Sequence, residues 1–556
     1  MSSPQSHDDG HLPLPGPRAL WWLLGVLAVL LPAAAIVQSA LAKPSGPSRE
    51  VEFEVREQTL LWRTSHYFTA TPGRKSGPDR KHESTALPDE PTQSSAWLTG
   101  RLGLPDAAGV TRALFEQAET NETAPGQVDA RKHSRTLPRQ TELVVAFAIA
   151  TRQDAVAAEL AARIHSPSED LRAALAALPV PTTVTTATTV NPAALRDTPA
   201  QASQTVRHHG FGTGWSPYLR DRVRARVHAA AGELALARPL ITRLHEEDGR
   251  VAAFFATLVQ VLSLAGLFGS AMLLAGMVRT GLAMARGEPP LLWLRGRFPG
   301  LGALPATVTG MPHVESPLLG LGGAGLEPPY RTDPLVPLLG FGAWLLGYLF
   351  VAVLASQLPG ARMPNGFAIL LQSGAGILIA QAVIHAFARG YPPLQVAARL
   401  GGTGPGFWAS STAALRAYCV LLPVMLILML ITTLFAGGEG DMHPVAGFLL
   451  DDADPVQLTT IGIAVLVAAP FGEELLFRGF LYRVLRQRFG RMPALLTTAL
   501  LFALLHVAPH ALLPYVGLGL AFGLVYEGVG SLWASIILHA LWNAVVFARI
   551  LVVAAS

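Results

Sequence analysis

Hydrophobic residues along this chain gather into long unbroken runs, with polar residues pushed into the intervals between them. A helix needs roughly 20 mostly apolar residues to cross the hydrocarbon of a bilayer. The stretches that approach this length are Leu20–Leu41, Val251–Val278, Leu335–Leu358, Gly366–Ala388, Ala413–Ala436, Val456–Phe477, Pro493–Val507, Leu512–Tyr526 and Leu532–Val553. The pattern predicts an all-α polytopic membrane protein with about nine transmembrane helices. Several of the last spans are short, which predicts tilt or partial insertion. The first run follows Arg18 and ends near Ala40-Leu41-Ala42, a small-residue sequence like a signal-peptide cleavage site. Its apolar core is longer than a usual signal core, so residues 1–42 are read as an uncleaved anchor.

Between Lys43 and Arg250 the pattern changes. Charges, Pro, Ser and Thr are frequent, and no run is long enough to span. Residues 72–95 read as a loop, and the Thr-rich run 182–190 as extended or linker-like. Residues 141–164 and 220–247 carry Ala and Leu among charges at helical spacing, which predicts amphipathic helices. Four regions follow: the anchor 1–42, a mainly helical insert 43–250, transmembrane helices and loops 251–455, and a C-terminal domain 456–550. Nothing in 43–250 assembles a recognisable site.

Composition and charge agree with a lipid-facing surface. Hydrophobic residues make up 51% of the chain and charged residues 14%, well short of the ~25% charged residues of soluble domains. Basic residues follow the apolar runs, at Arg279, Arg286, Arg295 and Arg297 and again at Arg483, Arg486, Arg488 and Arg491. That is the positive-inside pattern, and it predicts that both segments are cytoplasmic. The acidic loop 437–455, with four Asp, one Glu and no Lys or Arg, then falls outside. Residues 43–250 are expected to be extracytoplasmic. A basic face on a soluble fold, the mark of a nucleic-acid reader, is missing, so no nucleic-acid partner is expected. The single cysteine, Cys419, permits no intramolecular disulfide.

Ionisable groups inside a membrane cost at least a few kcal/mol each, so they mark function by default. In the last spans they form a set. Glu473, Glu474 and Arg478 sit near the end of one apolar helix, His506 in the next, and His539 and Asn543 in the last. Glu474 and Arg478 are four apart with the acid first, the favourable order for an ion pair, which leaves Glu473 free to act. His539 and Asn543 are also four apart and share a face, and Phe502 lies four before His506. Gly517, Gly519 and Gly523 give the small-residue spacing that lets membrane helices approach closely. His385, His443 and His510 read as interfacial or loop residues.

The order Glu-Glu-x-x-x-Arg, Phe-x-x-x-His, His-x-x-x-Asn resembles the CPBP family, the CAAX prenyl-protease and bacteriocin-processing (Abi) group of intramembrane endopeptidases. The resemblance covers about residues 456–550. It implies hydrolysis of a peptide bond in a membrane-embedded or membrane-adjacent protein by an activated water. Glu473 would be the general base, His506 would help hold and deprotonate the water, and His539 and Asn543 would bind the water or the oxyanion. Glu474 and Arg478 would be the supporting pair. A metalloprotease label would make Glu473, His506 and His539 the zinc ligands. No His-Glu-x-x-His helix is present and Asn is a poor zinc ligand, so a metal-independent mechanism without a cofactor is expected. The other readings are an immunity or scaffold protein of the same fold and a proton-coupled transporter, although no internal repeat is visible to support the latter. The Ala- and Arg-rich composition and short loops predict a bacterial inner-membrane protein, with the bilayer and a protein or peptide substrate as its partners.

Overall fold

The computed structural model describes Val26 and residues 50–70, 107–123, 139–164, 167–178, 197–286, 335–357, 365–387, 407–436 and 455–554, apart from 209, 213–214, 507 and 509–510. The anchor Leu20–Leu41 apart from Val26, the loop 72–95, the run 182–190, His443, His510 and most of the loops 389–412 and 437–455 lie outside those residues. Among the described residues all regular structure is helical and no strand occurs. They form two units, one holding residues 50–260 and 548–554, the other 261–436 and 455–547.

The first unit packs α1 (Glu50–Ala70), α2 (Ala107–Thr123), α3 (Gln140–Ala150), α4 (Asp154–Ala161), α5 (Glu169–Leu175), α6 (Pro199–Arg207), α7 (Pro217–Ala230) and the start of α8 (Leu234–Ala285). The two expected amphipathic helices are each broken in two. The first breaks after α3, which is buried along its whole length and so carries no polar face. Its turn puts Arg152 at φ 59, with Gln153 N–H donating to Ala148 O at 2.9 Å. The second breaks in the same way after α7, with Gly232 at φ 77 and Glu233 N–H donating to His228 O at 2.8 Å. Two helical hairpins of one design therefore stand in this unit, a repeat carried by backbone geometry where the sequences differ. Arg226 joins them by binding Asp154 through both carboxylate oxygens, at 2.9 and 3.1 Å, and by donating to the Ile149 carbonyl.

Two groups of buried polar side chains in this unit are matched to one another. Arg63 Nε donates to Asp248 Oδ1 at 2.7 Å, Tyr218 OH to Asp248 Oδ2 at 3.1 Å, and the guanidinium lies 3.8 Å from the Tyr218 ring centroid. Ser203, His228 and Glu233 also cluster. Ser203 Oγ and Glu233 Oε2 meet the same imidazole atom, His228 Nδ1, at 3.1 and 2.9 Å. A nucleophile relay needs the serine and the acid on opposite ring nitrogens, so this cluster is a structural tie.

Helix α8 runs unbroken for 52 residues, through the point where a boundary at 250 was expected. The segment before Val251 is charged, but Arg243, Glu246 and Glu247 are good helix formers, so polarity changes there while the backbone does not. Beyond Gln260 the helix exposes large apolar residues such as Leu264 and Leu267, both 68% accessible. It is joined by α9 (Val336–Gln357), α10 (Asn365–Phe387) and α11 (Phe407–Ala436). Helix α11 starts six residues earlier than the sequence pattern suggested, with Trp408 exposed on it. A compound helix follows: α12 (Pro455–Ile463), a π-helical stretch Ala464–Ala468, α13 (Ala469–Glu474), a second π-helical stretch Leu475–Leu481 and α14 (Tyr482–Phe489). The chain ends with α15 (Arg491–Leu505), α16 (Leu512–Val529) and α17 (Leu532–Ala554). Among the described residues five helices are long and apolar enough to cross a membrane, and shorter apolar helices occupy the remaining described spans. The protein is thus an all-α, multi-pass membrane protein.

The core of this unit is aromatic, with Phe477, Phe480, Tyr482, Phe502, Phe522 and Tyr526 at 1% accessibility or less. The three glycines of α16 serve two neighbours. Gly517 faces Leu428 of α11, whereas Gly519 and Gly523 face Ala499 and Leu495 of α15. A methyl group on Gly519 would stand 2.8 Å from Ala499 Cα, so α15 and α16 touch backbone to backbone there. At the far end of these helices Glu527 accepts from Tyr482 OH at 2.7 Å, Arg486 Nη2 at 3.0 Å and Arg491 Nε at 2.6 Å. Gly490, at φ 83, makes the turn that brings the two arginines to one carboxylate.

Gly519→Ala is expected to destabilise the protein by about 1–3 kcal/mol through overpacking. Gly281→Ala, with open space around it, should be neutral or slightly stabilising, and thermal unfolding of the detergent-solubilised protein separates the two. In the first unit, hydrogen bonds from Ser203 and then Arg207 hold the Glu233 carboxyl down to about 2, against an ordinary 4.5. A depressed carboxyl stabilises the fold above its unfolded value and loses that contribution as the pH falls through its folded one. Amide protection over Pro199–Arg207 and Pro217–Ala230 should therefore decline between about pH 4.5 and pH 2, and Glu233→Gln should flatten that decline.

Candidate active site

The site is built around the compound helix, and its irregularity has a local cause. Pro470 has no amide hydrogen, and its ring crowds the preceding turn of an α-helix. The π-helical stretch ahead of it widens that turn, and Ala469 N–H bonds back to Ala464 O. In the same register the donor to Val465 O would be the nitrogen of Pro470, which has no hydrogen to give. Asn543 of α17 supplies one, its Nδ2 donating to Val465 O at 2.9 Å. The second π stretch follows Glu474 directly and contains Arg478. Both glutamates thus sit on a short α segment between two wide turns, the kind of irregularity that recurs at functional sites.

Glu474 and Arg478 are fully buried, and Arg478 Nη1 donates to Glu474 Oε1 at 2.8 Å. Arg478 Nη2 donates to Gly519 O at 2.6 Å, where the bare glycine lets the guanidinium reach the backbone. The rings of Phe477, Phe502 and Phe522 surround the cation with centroids at 5.7, 5.5 and 5.4 Å. Glu474 has a second partner, His539, whose Nδ1 stands 3.1 Å from Glu474 Oε1. A carboxylate accepts, so His539 donates through Nδ1 and turns Nε2 toward Glu473 Oε2, 4.0 Å away. Phe522 stacks on the His539 ring at 4.6 Å and fixes its plane.

Glu473 is 28% exposed at its side chain, and its neighbour across the site is His506. This histidine caps the C-terminus of α15 and stacks on Tyr515 of α16 at 4.2 Å. Its Nδ1 donates to Phe502 O at 2.8 Å, which leaves Nε2 as the nitrogen with a lone pair. Glu473 and His506 line one cavity of about 220 Å³. His539 and Asn543 stand outside its lining: His539 is behind Glu473, and the Asn543 amide is engaged with the Val465 carbonyl. Arg478, Glu474, His539 and Glu473 therefore form a chain of contacts that ends at the cavity. Among the described residues no three His, Cys, Asp or Glu side chains gather into a candidate metal site.

Three contributors were not singled out in the sequence. Pro470, inside an apolar span and three before Glu473, is a signal that the helix must widen. Glu527 stands in an otherwise apolar span, which marks it as a group needing partners. Tyr515 gave no signal, because one aromatic in an apolar helix is ordinary core.

A buried acid–histidine–arginine constellation in a bundle of membrane helices thus borders a cavity lined by Glu473 and His506. Residues 455–545 match the family model Rce1-like, type II CAAX prenyl endopeptidase Rce1-like. The match is confined to the C-terminal region, and it supports an intramembrane protease of that family. No curated protein matches the chain, and no solved structure does.

Removing one member of a buried ion pair costs about 3–5 kcal/mol, so Arg478→Met and Glu474→Leu should each lower stability on that scale. Asn543→Leu should cost about 1–3 kcal/mol by leaving the Val465 carbonyl without its donor. Thermal unfolding of the purified protein in detergent measures all three.

Proposed function

We propose that this protein is an intramembrane endopeptidase that hydrolyses a peptide bond by a water activated at Glu473. The observation that carries this reading is that Glu473 and His506, from two different helices, line one cavity within an apolar bundle. In the proposed reaction Glu473 takes a proton from the water as its oxygen adds to the substrate carbonyl. His506 Nε2 accepts a hydrogen bond from the same water and orients it. His539, held by Glu474 through Nδ1, stands behind Glu473 with Nε2 toward its carboxylate and is a positioning residue for the base. Glu473 then returns its proton to the leaving amine as the carbon–nitrogen bond breaks. Asn543 is a positioning residue in this scheme, because its amide braces the wide turn of the helix that carries Glu473.

The proposed reaction assigns no step to a metal; metal analysis of active purified protein, finding less than one ion per chain, is the expected result. By the distribution of basic loops, residues 43–250 belong on the extracytoplasmic face of a bacterial inner membrane. Glu473→Gln should lower cleavage about 10²- to 10⁴-fold, the usual worth of a general base, while protein level and unfolding temperature hold. N-terminal sequencing of the membrane proteome from cells carrying wild type or the variant is the measurement. Full cellular function in the variant would instead favour a non-catalytic immunity or scaffold protein.

A further inference from the structure

Addition of water to a substrate carbonyl turns the carbonyl oxygen into an oxyanion, and a donor aimed at that oxygen is worth most in a low-dielectric site. None of the residues assigned a role so far supplies one. Glu473 and His506 Nε2 act as acceptors, His539 stands behind the base, and the Asn543 amide is engaged with Val465 O. Apart from His506, three side chains in the cavity lining carry an N–H or O–H: Trp344, Tyr348 and Ser373. The Trp344 indole N–H is committed to Gly376 O at 3.1 Å. Ser373 carries its hydroxyl on a single carbon, close to the backbone of α10. Tyr348 lies one turn after Trp344 on α9, and the two rings stack with centroids 5.0 Å apart and planes at 15°. The edge of the Tyr348 ring rests on α10, where a methyl group on Gly376 would stand 3.4 Å from Cδ2. The phenol is therefore held by a neighbour that is itself pinned by a hydrogen bond. It is half-buried, and near enough to Glu473 for the carboxylate charge to act on it. Among the described residues its hydroxyl has no hydrogen-bond partner.

We propose that Tyr348 is a further catalytic residue, the donor that stabilises the tetrahedral oxyanion. The proposal rests on the protease reading and adds a group to the same site. As the water oxygen bonds to the carbonyl carbon, the electron pair of the C=O bond moves onto oxygen. Tyr348 donates a hydrogen bond to that oxygen and keeps its proton. When the carbon–nitrogen bond breaks, the pair returns to re-form C=O, and the amine leaves with the proton that Glu473 took from the water. A phenol is more acidic than the aliphatic hydroxyl of Ser373, which makes it the stronger donor. Its fixed ring means that little reorganisation is needed as charge develops. Tyr348 precedes the matched segment 455–545, so part of the chemistry belongs to a helix outside that match.

The test uses the purified full chain in detergent micelles. Its probe is a fluorogenic peptide copied from a membrane-protein site whose new terminus appears with wild type and vanishes with Glu473→Ala. Tyr348→Phe removes one oxygen and keeps the stacked ring, and an unchanged unfolding temperature checks that the fold is kept. The expected result is a fall in kcat of about 10²- to 10³-fold, the worth of one oxyanion donor. KM should stay within about threefold, because the bond is made only in the transition state, and the pH dependence of kcat should keep its shape. A kcat within about threefold of wild type overturns the assignment. A loss confined to KM, or a displaced pH profile, overturns it as well, since the hydroxyl would then serve substrate binding or the base. Loss of kcat on the expected scale in Ser373→Ala but not in Tyr348→Phe gives the role to the other hydroxyl and also overturns it. Each of these outcomes leaves the protease standing. The absence of any Glu473-dependent site overturns both.

Discussion

A charge pair with no access to solvent sets the terms for the helical bundle. Arg478 and Glu474 are both at 0% accessibility, and each alone would cost several kcal/mol in that setting. The arrangement around them offsets part of that cost, while Glu474 Oε2 and Arg478 Nε stay buried without a hydrogen-bond partner among the described residues. The second guanidinium nitrogen needs an acceptor, and the carbonyl of Gly519 is reachable because no side chain shields it. The cation needs a polarisable shell, which Phe477, Phe502 and Phe522 supply. The carboxylate has capacity beyond the arginine and uses it on His539. Close approach of α15 and α16, the aromatic core and the orientation of one histidine all follow from the same pair. The reactive-looking groups stand at its edge, where Glu473 retains partial exposure.

The cavity has two walls of different origin. One is the polar wall of Glu473 and His506, within residues that match the type II CAAX prenyl endopeptidase model. The other is aromatic and aliphatic, from helices before it. Helices outside the matched region thus help shape the cavity on which Glu473 and His506 open.

Much of this was legible in the chain. Apolar runs located the described membrane helices because length and hydropathy are what a bilayer demands of a span. The four-residue spacing of Glu474 and Arg478 indicated their pairing, and that of His539 and Asn543 their shared face. What spacing could not give was contact between helices. His539 meeting Glu474, Asn543 meeting a backbone carbonyl, and Glu527 collecting Tyr482 and two arginines all depend on packing between segments tens of residues apart. The breaks at Arg152 and Gly232 were missed because Ala-rich stretches carry helical spacing straight through a turn that depends on one left-handed residue. The far wall of the cavity was illegible for a different reason: Trp344, Tyr348 and their neighbours read as ordinary apolar helix until a partner faces them.

The bond from Asn543 to Val465 O makes two distant positions interdependent. An amino acid with an amide hydrogen at 470 would restore a backbone donor to the wide turn, and the side chain at 543 would then have nothing to repair. Substitutions at Pro470 and Asn543 should accordingly be epistatic, the loss of one concealing the loss of the other. Variation at position 543 can thus reflect the shape of a helix as much as the needs of a reaction, and an asparagine there carries a structural debt that originates with a proline.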